Sequence, residues 1–256
     1  MFLLTNDDGI YAKGLSALYE ELSHDAECLI VAPEIEQSAV GHAVTIFRPL
    51  MVRRATKNNN FLGYAVYGTP ADCVKIGVKE LAQKPVGLVI SGINRGSNAG
   101  INIIYSGTVS AATEAAIMGI PSLAISLDTH KEADFTYAAK FARKMVKLIL
   151  ENPILRGSAI NVNVPCLPAE EIKGVVVVKQ GKDNIIEAFE KRVDPRENIY
   201  YWVSGEYKST AEKTATDVNA LASGFITSTP IQYDLTRYDL LDYLQKTVSQ
   251  SHLCKV

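Results

Sequence analysis

The sequence contains no long apolar run and no excess of basic charge, and these two absences exclude broad classes of protein. None of its apolar segments approaches the length of a membrane-spanning helix, and Met1 leads directly into a short apolar segment without a charged leader. We therefore expect a cytoplasmic protein that does not contact a membrane. With 26 Lys and Arg residues against 28 Asp and Glu residues, the chain offers no long basic face for a nucleic-acid polymer, whereas small phosphorylated ligands remain open.

Cysteine is also scarce, with four residues in a chain of 256. The cysteines lie far apart and show no paired spacing, which excludes a zinc knuckle and a redox dithiol. They are Cys28, Cys73, Cys166 and Cys254. We expect buried or incidental thiols in an otherwise ordinary globular composition, in which 47% of the residues are hydrophobic and 21% are charged.

The first apolar segment of the chain ends at an acidic turn. Phe2-Leu3-Leu4 has the length of a buried parallel strand, and Asn6-Asp7-Asp8-Gly9 cannot continue it. In open α/β sheets, ligands bind beyond the carboxyl ends of the strands. Two adjacent carboxylates repel each other unless a cation or strong donors lie nearby, so one interpretation is a divalent metal site. The other is a turn in which Asp8 caps the following helix.

Apolar strands and amphipathic helices alternate through residue 165. This alternation predicts an α/β fold with a doubly wound, mainly parallel sheet and helices on both of its faces. We expect strands at 2–4, 28–32, 86–90, 121–126 and 159–164, and helices at 15–22, 70–81, 108–118 and 133–150. Segments 44–47 and 61–67 predict a hairpin, and Thr69 followed by Pro70 marks the start of a helix.

The pattern changes after residue 165. Apolar segments at 175–179, 199–203 and 225–229 are separated by charge-rich stretches, and 233–248 predicts a closing helix. We therefore divide a single domain into a body, about 1–165, and a C-terminal extension, 166–256, with hairpin and helix character. Three adjacent aromatic residues in this extension favour an interface, either with the chain's own body or with a partner. They are Tyr200, Tyr201 and Trp202.

A second polar region follows the strand expected at 86–90. Residues 91–100 are rich in glycine and asparagine, and residues 105–110 lead into an alanine-rich helix. Small residues let the backbone approach an anion closely, and a helix N-terminus attracts one. Asn94 and Asn98 offer oxygen and N–H groups without adding charge, which suits a cation ligand and a phosphate donor. The alternative is a loop that uses Gly and Asn only for its turns. Because residues 91–100 lie at the carboxyl end of a strand, the ligand-binding interpretation is favoured.

Isolated charged side chains carry less information. His42 follows Ser38 by four residues and could serve as an acid or as a hydrogen-bonded structural histidine. Arg95 could steer a phosphate or remain a solvated loop charge. Glu114 is expected to be a solvated or N-terminal helical carboxylate without a role in a site. The remaining histidines, His24, His130 and His252, are expected on the surface.

Several stretches together match the pattern of a known family. They are Leu4-Thr-Asn-Asp-Asp-Gly-Ile10, Ala32-Pro33, Gln37-Ser-Ala39, Gly41-His42, Gly68-Thr-Pro-Ala-Asp-Cys-Val74, Ser91-Gly-Ile-Asn-Arg-Gly96, Asn98, Gly100, Tyr105-Ser-Gly-Thr-Val109, Asn161-Val-Asn-Val-Pro165 and Thr229-Pro230. In these stretches the sequence resembles the SurE (survival protein E) family of metal-dependent nucleotidases. The resemblance runs in order from the first strand almost to the last helix, and the departures, such as Ala99, fall at variable positions.

The resemblance implies one divalent metal ion per subunit, Mg²⁺, Mn²⁺ or a similar ion. The ligands it implies are Asp7, Asp8, Ser38 and Asn94. Ser38 is an uncommon ligand type and rests on the resemblance alone. The family fold is a Rossmann-like α/β body with a C-terminal extension that exchanges elements between subunits, which implies a homodimer or a homotetramer.

The hypothesis from these features is hydrolysis of a phosphate monoester, with a nucleoside 5′- or 3′-monophosphate as the small-molecule substrate and short polyphosphate as a further candidate. Asp8 would be the catalytic residue, as a metal ligand that also takes a proton from water. The phosphate would be bound by Asn94, Asn98, Ser106, Gly107 and Thr108.

Three other classes fit the sequence less well. A phosphoacceptor receiver domain needs an Asp after its third strand, where this chain has Ser91-Gly92, and it is about half as long. A metal-dependent glycosyltransferase needs two acidic residues separated by one, which Asp7-Asp8 does not provide. A nucleotide-binding protein without catalysis would retain its ligand unhydrolysed.

Overall fold

A nine-stranded sheet forms the centre of the computed structural model, which describes residues 1–152, 155, 157–182, 184–208 and 216–251, with the backbone alone at 184–187 and 205–208. The strands are β1 (Phe2–Thr5), β2 (Cys28–Pro33), β3 (Val52–Lys57), β4 (Asn60–Val66), β5 (Leu88–Arg95), β6 (Ser122–Asp128), β7 (Ala159–Pro165), β8 (Val175–Val177), β9 (Asn184–Val193), β10 (Ile199–Lys208) and β11 (Ile226–Ile231). The order is β3-β4-β2-β1-β5-β6-β7-β11-β8. Only the β3–β4 and β7–β11 pairs of this sheet are antiparallel.

Helices cover both faces of the sheet. The helices of the described residues are α1 (Lys13–Leu22), α2 (Pro70–Ile76), α3 (Gly107–Ile117), α4 (Thr136–Glu151), α5 (Asp217–Ala222) and α6 (Leu241–Gln250), of which α6 has no buried residue. On one face, α1 and α4 bury Leu18 and Met145 in the larger apolar cluster, and on the other, α2 and α3 bury Val74 and Ala111 in a second cluster. This arrangement confirms the expected Rossmann-like α/β fold. No helix of the described residues is both long and apolar enough to cross a membrane.

The hairpin beside β2 lies later in the chain than its sequence pattern indicates. Its strands are β3 and β4, so the expected second strand is confirmed and the expected first strand, 44–47, is wrong. β3 is an edge strand in which Ala55 is the only buried residue among Val52–Lys57, and because three of its six residues are basic it gives no apolar pattern. Ile46 and Phe47, which produced the apolar signal, are exposed in this chain.

Strand β5 continues further than expected. The sequence predicts that it ends at Ile90, whereas the strand runs on to Arg95. Its pairing with β6 shifts register between Ser91 and Asn94, which is an irregularity that lets the polar residues remain in the strand. Asn94 is therefore held by the sheet itself, and the loop begins only after Arg95.

The C-terminal extension is partly built into the sheet. β11 pairs with β7, and β8 pairs with β11. β7, which ends at Pro165, is therefore not an edge strand of the sheet. β9 and β10 form a separate two-stranded hairpin. The closing helix α6 begins at Leu241, after a 3-10 turn at Tyr238–Leu240, rather than at residue 233. The expectations for His252 and Cys254 lie outside the described residues, whereas Cys73 is buried as expected.

Candidate active site

The acidic turn after β1 is held by its own asparagine. Asn6 Nδ2 donates to the carbonyl oxygen of Gly9 at 3.0 Å, and the backbone N–H of Gly9 donates to Asn6 Oδ1 at 3.2 Å. Helix α1 begins at Lys13, and its N-cap residue, Ala12, offers no side-chain hydrogen bond. Asp8 therefore does not cap this helix, and the cap interpretation of the acidic turn is excluded.

Asp7 faces the N-terminus of α3 and is only 6% exposed. The backbone N–H of Thr108 donates to Asp7 Oδ2 at 3.1 Å, and the Thr108 hydroxyl donates to Asp7 Oδ1. A Cβ on Gly107 would lie 2.8 Å from Asp7 Cβ, so glycine is needed for the carboxylate to approach this helix end. A negative charge is favourable at a helix N-terminus. β1 and α3 thus fix the position of Asp7 together.

A cleft of about 960 Å³ opens beyond the carboxyl ends of β1, β2 and β5. It is lined by all four expected metal ligands, Asp7, Asp8, Ser38 and Asn94. The Ser38 hydroxyl donates to Glu36 Oε1 at 2.5 Å, which places a third carboxylate at the same edge. Asn94 Nδ2 donates to the carbonyl oxygen of Gly96 at 2.7 Å, so the amide oxygen of Asn94 is its ligand group for a cation.

The expected phosphate-binding residues occupy two positions. Asn94, Asn98 and Ser106 line the cleft. Gly107 and Thr108 lie behind it, against Asp7, and both are buried. The Ser106 oxygen accepts the N–H of Val109 at 3.1 Å as the N-cap of α3, so the Ser106 hydroxyl hydrogen is the part of this residue that can donate to an anion.

Asn98 anchors the loop after β5 on the sheet. Its backbone N–H donates to Asn163 Oδ1 at 2.7 Å, and its Nδ2 donates to Ser126 Oγ at 2.9 Å. Its carbonyl oxygen accepts from Asn161 Nδ2 at 2.7 Å and from Asn163 Nδ2 at 3.1 Å. Asn98 is therefore both a wall residue of the cleft and a structural link, with one amide hydrogen already in use.

Burial raises the pKa of both carboxylates in the acidic turn. For Asp7 the hydrogen bonds from Thr108 oppose this effect without cancelling it. For Asp8, burial and then the charge of Asp7 raise the pKa from 3.8 to about 6, while a 3.4 Å hydrogen bond from the Arg95 N–H acts in the opposite direction. Glu36 adds further repulsion to both groups. The protein's own cations therefore do not compensate the negative charge at this edge.

The donor set fits a hard divalent cation. Among the described residues, no group of three or more His, Cys, Asp or Glu side chains could hold a metal ion. The four expected ligands offer instead two carboxylates, one hydroxyl and one amide oxygen, which are the hard oxygen donors that Mg²⁺ and Mn²⁺ prefer. A cation would also relieve the repulsion that raises the pKa of Asp8.

This charge balance predicts how stability depends on pH and metal. Because the folded-state pKa of Asp8 is raised, Asp8 favours the folded state below its ordinary pKa of 3.8, and this contribution is lost as pH rises to about 6. We therefore expect added Mn²⁺ to raise the Tm of the metal-free protein at pH 7.5 more than at pH 5.0. Differential scanning fluorimetry measures both shifts, and an equal response at the two pH values would contradict the expectation.

His42 is not among the residues that line this cleft. Its Nε2 contacts Glu114 Oε2 at 2.8 Å, and Lys75 Nζ contacts Glu114 Oε1 at 2.7 Å. The Glu114 side chain is 5% exposed, and these partners, His42 first, hold its pKa below the ordinary value. The structure thus favours the structural interpretation of His42, and Glu114 is the buried centre of an ion-pair cluster rather than a solvated carboxylate.

Several cleft residues carry little signal in the sequence. Glu36 lies two residues before Ser38 in the sequence, and this proximity is the one indication that Glu36 belongs to the cleft. His130, expected on the surface, lines the cleft, and Arg95 lines it as well. Val203 and Ser204 reach the same cleft from strand β10, which is far away in the sequence. Only the folded chain brings the hairpin to the site.

Comparison with known proteins agrees with this geometry. A model of the family Survival protein SurE matches residues 2–187. The chain is 62% identical over 250 residues to the 5′-nucleotidase SurE of Syntrophus aciditrophicus, which covers 97% of this chain and 94% of that protein. It is 49% identical to the 5′-nucleotidase SurE of Syntrophobacter fumaroxidans, with 95% of this chain and 98% of that protein covered.

A solved structure extends the comparison to the fold. The crystal structure of the SurE protein from Aquifex aeolicus superposes on this chain with a TM-score of 0.83 and 40% sequence identity. The superposition covers 96% of this chain and 98% of the Aquifex chain. The family match and the full-length similarity lead to one conclusion, that this chain belongs to the SurE family.

Proposed function

We propose that this chain hydrolyses nucleoside monophosphates to nucleoside and inorganic phosphate with the help of a divalent metal ion. The observation that carries the proposal is the meeting of the Asp7-Asp8 pair with Ser38 and Asn94 in one cleft beside the N-terminus of α3. Oxygen ligands for a cation and N–H groups for an anion at one place suit a phosphate ester. The relatives named above are 5′-nucleotidases by name.

The cation would be held by Asp7, Asp8, Ser38 and Asn94, one per chain. When bound, it supplies a Lewis acid that withdraws charge from the phosphate group. Asp7 is kept in place by Thr108, so the carboxylate needs little reorganisation to serve as a ligand. Asn94 is held by strand β5 and by its hydrogen bond to Gly96, which fixes the amide oxygen in the same way.

Asp8 is the proposed proton acceptor for the attacking water. It is less buried than Asp7 and lines the cleft, so a water molecule in the cleft can reach its carboxylate. The water oxygen attacks phosphorus, the ester P–O bond breaks, and the leaving oxygen takes a proton from solvent water to give the free nucleoside, while Asp8 later returns its proton to solvent. Asp8 receives the proton that the water loses.

The proposed phosphate-binding set is Asn94, Asn98, Ser106, Gly107 and Thr108. Ser106 contributes its hydroxyl hydrogen, and Asn98 contributes the amide hydrogen that is not directed at Ser126. Gly107 and Thr108 act through the backbone at the start of α3, where the helix dipole stabilises negative charge. Thr108 also orients Asp7 and so links anion binding to the metal ligands.

The cleft is larger than a phosphate group requires, and this predicts a preference for nucleotides over simple phosphate esters. We expect nucleoside 5′-monophosphates to be hydrolysed with a kcat/KM at least about 10-fold above that of phenyl phosphate, because the nucleoside adds binding energy in the rest of the cleft. Phosphate release from a panel of 5′- and 3′-monophosphates, short polyphosphate and phenyl phosphate, with Mn²⁺ present, measures this ratio. Equal values for phenyl phosphate and every nucleotide would overturn the nucleotidase assignment.

Exposed apolar residues in the C-terminal extension support an oligomer. Helix α6 contains no buried residue, and its apolar side chains Leu241 and Leu244 are exposed in the single chain. The hairpin β9–β10 likewise exposes Tyr201, Trp202 and Val203. Apolar surface of this kind is typical of subunit interfaces. A homodimer or homotetramer in which the chains exchange elements of the C-terminal extension would cover this surface.

A further inference from the structure

The backbone of Gly100 is held from both sides by two residues of the C-terminal extension. The Gly100 N–H donates to Asp217 Oδ2 at 3.0 Å, and Gln180 Nε2 donates to the Gly100 carbonyl oxygen at 2.8 Å. Gly100 has a φ of +60°, a left-handed conformation in which glycine is favoured. The loop after β5 is therefore fixed at a second point, two residues beyond its anchor at Asn98.

The Asp217 carboxylate also binds the backbone of the segment that precedes the β9–β10 hairpin. Its Oδ1 accepts the N–H of Gly181 at 2.7 Å and the N–H of Val218 at 2.8 Å. The Asp217 side chain is fully buried, and its own N–H donates to the carbonyl oxygen of Lys179 at 3.0 Å. One buried carboxylate thus joins the loop after β5, the segment that enters β9 and the start of α5.

Both joined segments lead to residues that line the cleft. The loop wall consists of Ile101, Asn102 and Tyr105, which follow Gly100, and the hairpin wall consists of Val203 and Ser204 on β10. The metal ligands line the same cleft. Because Asp217 ties Gly100 to Gly181, it sets the position of the loop wall relative to the hairpin that carries the other wall.

We propose that Asp217 is a positioning residue that fixes the width of the cleft where the nucleoside binds, and that it thereby determines nucleotide affinity without taking part in the reaction. This inference rests on the proposed function. It assigns substrate selection to a contact between the body and the C-terminal extension, and it separates the nucleoside end of the cleft from the phosphate end. Gln180, which donates to the Gly100 carbonyl oxygen, has the same positioning role.

Asp217→Asn tests the proposal because asparagine keeps the shape but loses one of the two acceptor oxygens. We expect the KM and the dissociation constant for a nucleoside 5′-monophosphate to rise about 10-fold, the effect of losing one charge-assisted hydrogen bond, with kcat within two-fold of the wild type. Kinetic constants for phenyl phosphate, which lacks the nucleoside, should stay unchanged. Gln180→Met should act in the same direction with a smaller effect.

Asp72→Asn is the matched control. Asp72 is also a buried carboxylate that accepts backbone N–H groups, from Thr45 and Thr69, both at 2.9 Å, but neither partner adjoins a residue that lines the cleft, whereas Gly100 precedes Ile101. Both Asn variants should lower Tm, and only Asp217→Asn should weaken nucleotide binding. If Asp217→Asn and Gln180→Met both leave nucleotide binding unchanged, or if the constants for phenyl phosphate change equally, the proposal is wrong.

Failure of the proposed function would look different. It would appear in the wild type, as an absence of phosphate release from any ester. Equilibrium binding of the nucleoside 5′-monophosphate, measured by calorimetry on wild type, Asp217→Asn and Gln180→Met, tests the positioning role in that case as well. A ratio of dissociation constants near one would then overturn it.

Discussion

Asp8→Asn is expected to lower kcat for nucleoside monophosphate hydrolysis by about 10³-fold or more while the fold is retained. The variant removes one of the two negative ligands of the cation and the proposed proton acceptor, and each of these roles contributes at least about 10²-fold in comparable enzymes. Because burial and Asp7 disfavour the ionised form of Asp8, replacing it with a neutral side chain relieves repulsion. The metal-free variant should therefore have a Tm at pH 7.5 that equals or exceeds that of the wild type.

Steady-state phosphate release with saturating Mn²⁺ measures the loss, and circular dichroism checks the fold. Asp128→Asn is the matched control, since Asp128 also lies at the carboxyl end of a strand, β6, but is not among the residues that line the cleft. This control should keep wild-type turnover. An Asp8→Asn variant that retained most of its activity with metal present would refute both roles of Asp8.

Gly107→Ala should cost about 10²-fold in kcat/KM because the added methyl group displaces Asp7. The new Cβ would lie 2.8 Å from Asp7 Cβ and 3.0 Å from both Asp7 Oδ2 and Pro70 Cγ, which is too close on both sides. The carboxylate would have to leave the position in which Thr108 holds it. Displacements of about 1 Å at a catalytic group have effects of this size.

The matched control for this variant is Gly87→Ala. A Cβ there would meet only the Met1 carbonyl oxygen, at 3.9 Å, and Gly87 does not have a positive φ. The control should retain nearly full activity and stability. Metal binding by Gly107→Ala, measured by titration with Mn²⁺, should weaken together with the loss of turnover. Unchanged activity in Gly107→Ala would mean that the contact of Asp7 with α3 is not needed.

The strands and helices of the body could be read from the sequence because their burial gives a regular pattern. β1 and β2 are buried on both faces and appear as continuous apolar runs, and β6 and β7 are buried as well, with apolar residues between their Ser and Asn residues. Edge strands give no such signal, and β3 was missed because its charged residues face solvent while only Ala55 is buried. The sequence also places the end of β5 too early, since its last residues are polar and belong to the site.

The candidate site was predictable as far as it follows short motifs at strand ends. Asp7, Asp8 and Asn94 lie at or beside the ends of β1 and β5, two strands that are neighbours in the sheet, and this rule brings them together without a structure. Ser38 required the resemblance to the family. The contacts of Asp217 with Gly100 and Gly181 span 117 and 36 residues, so no local pattern could reveal them.

The measurement that tests the central claim most directly is phosphate release from a nucleoside 5′-monophosphate by the wild-type protein before and after removal of divalent metal. We predict turnover with Mn²⁺ present, none after treatment with excess EDTA, and recovery when Mn²⁺ is added in excess of the chelator. Turnover that continued at the same rate in EDTA would contradict a metal site formed by Asp7, Asp8, Ser38 and Asn94.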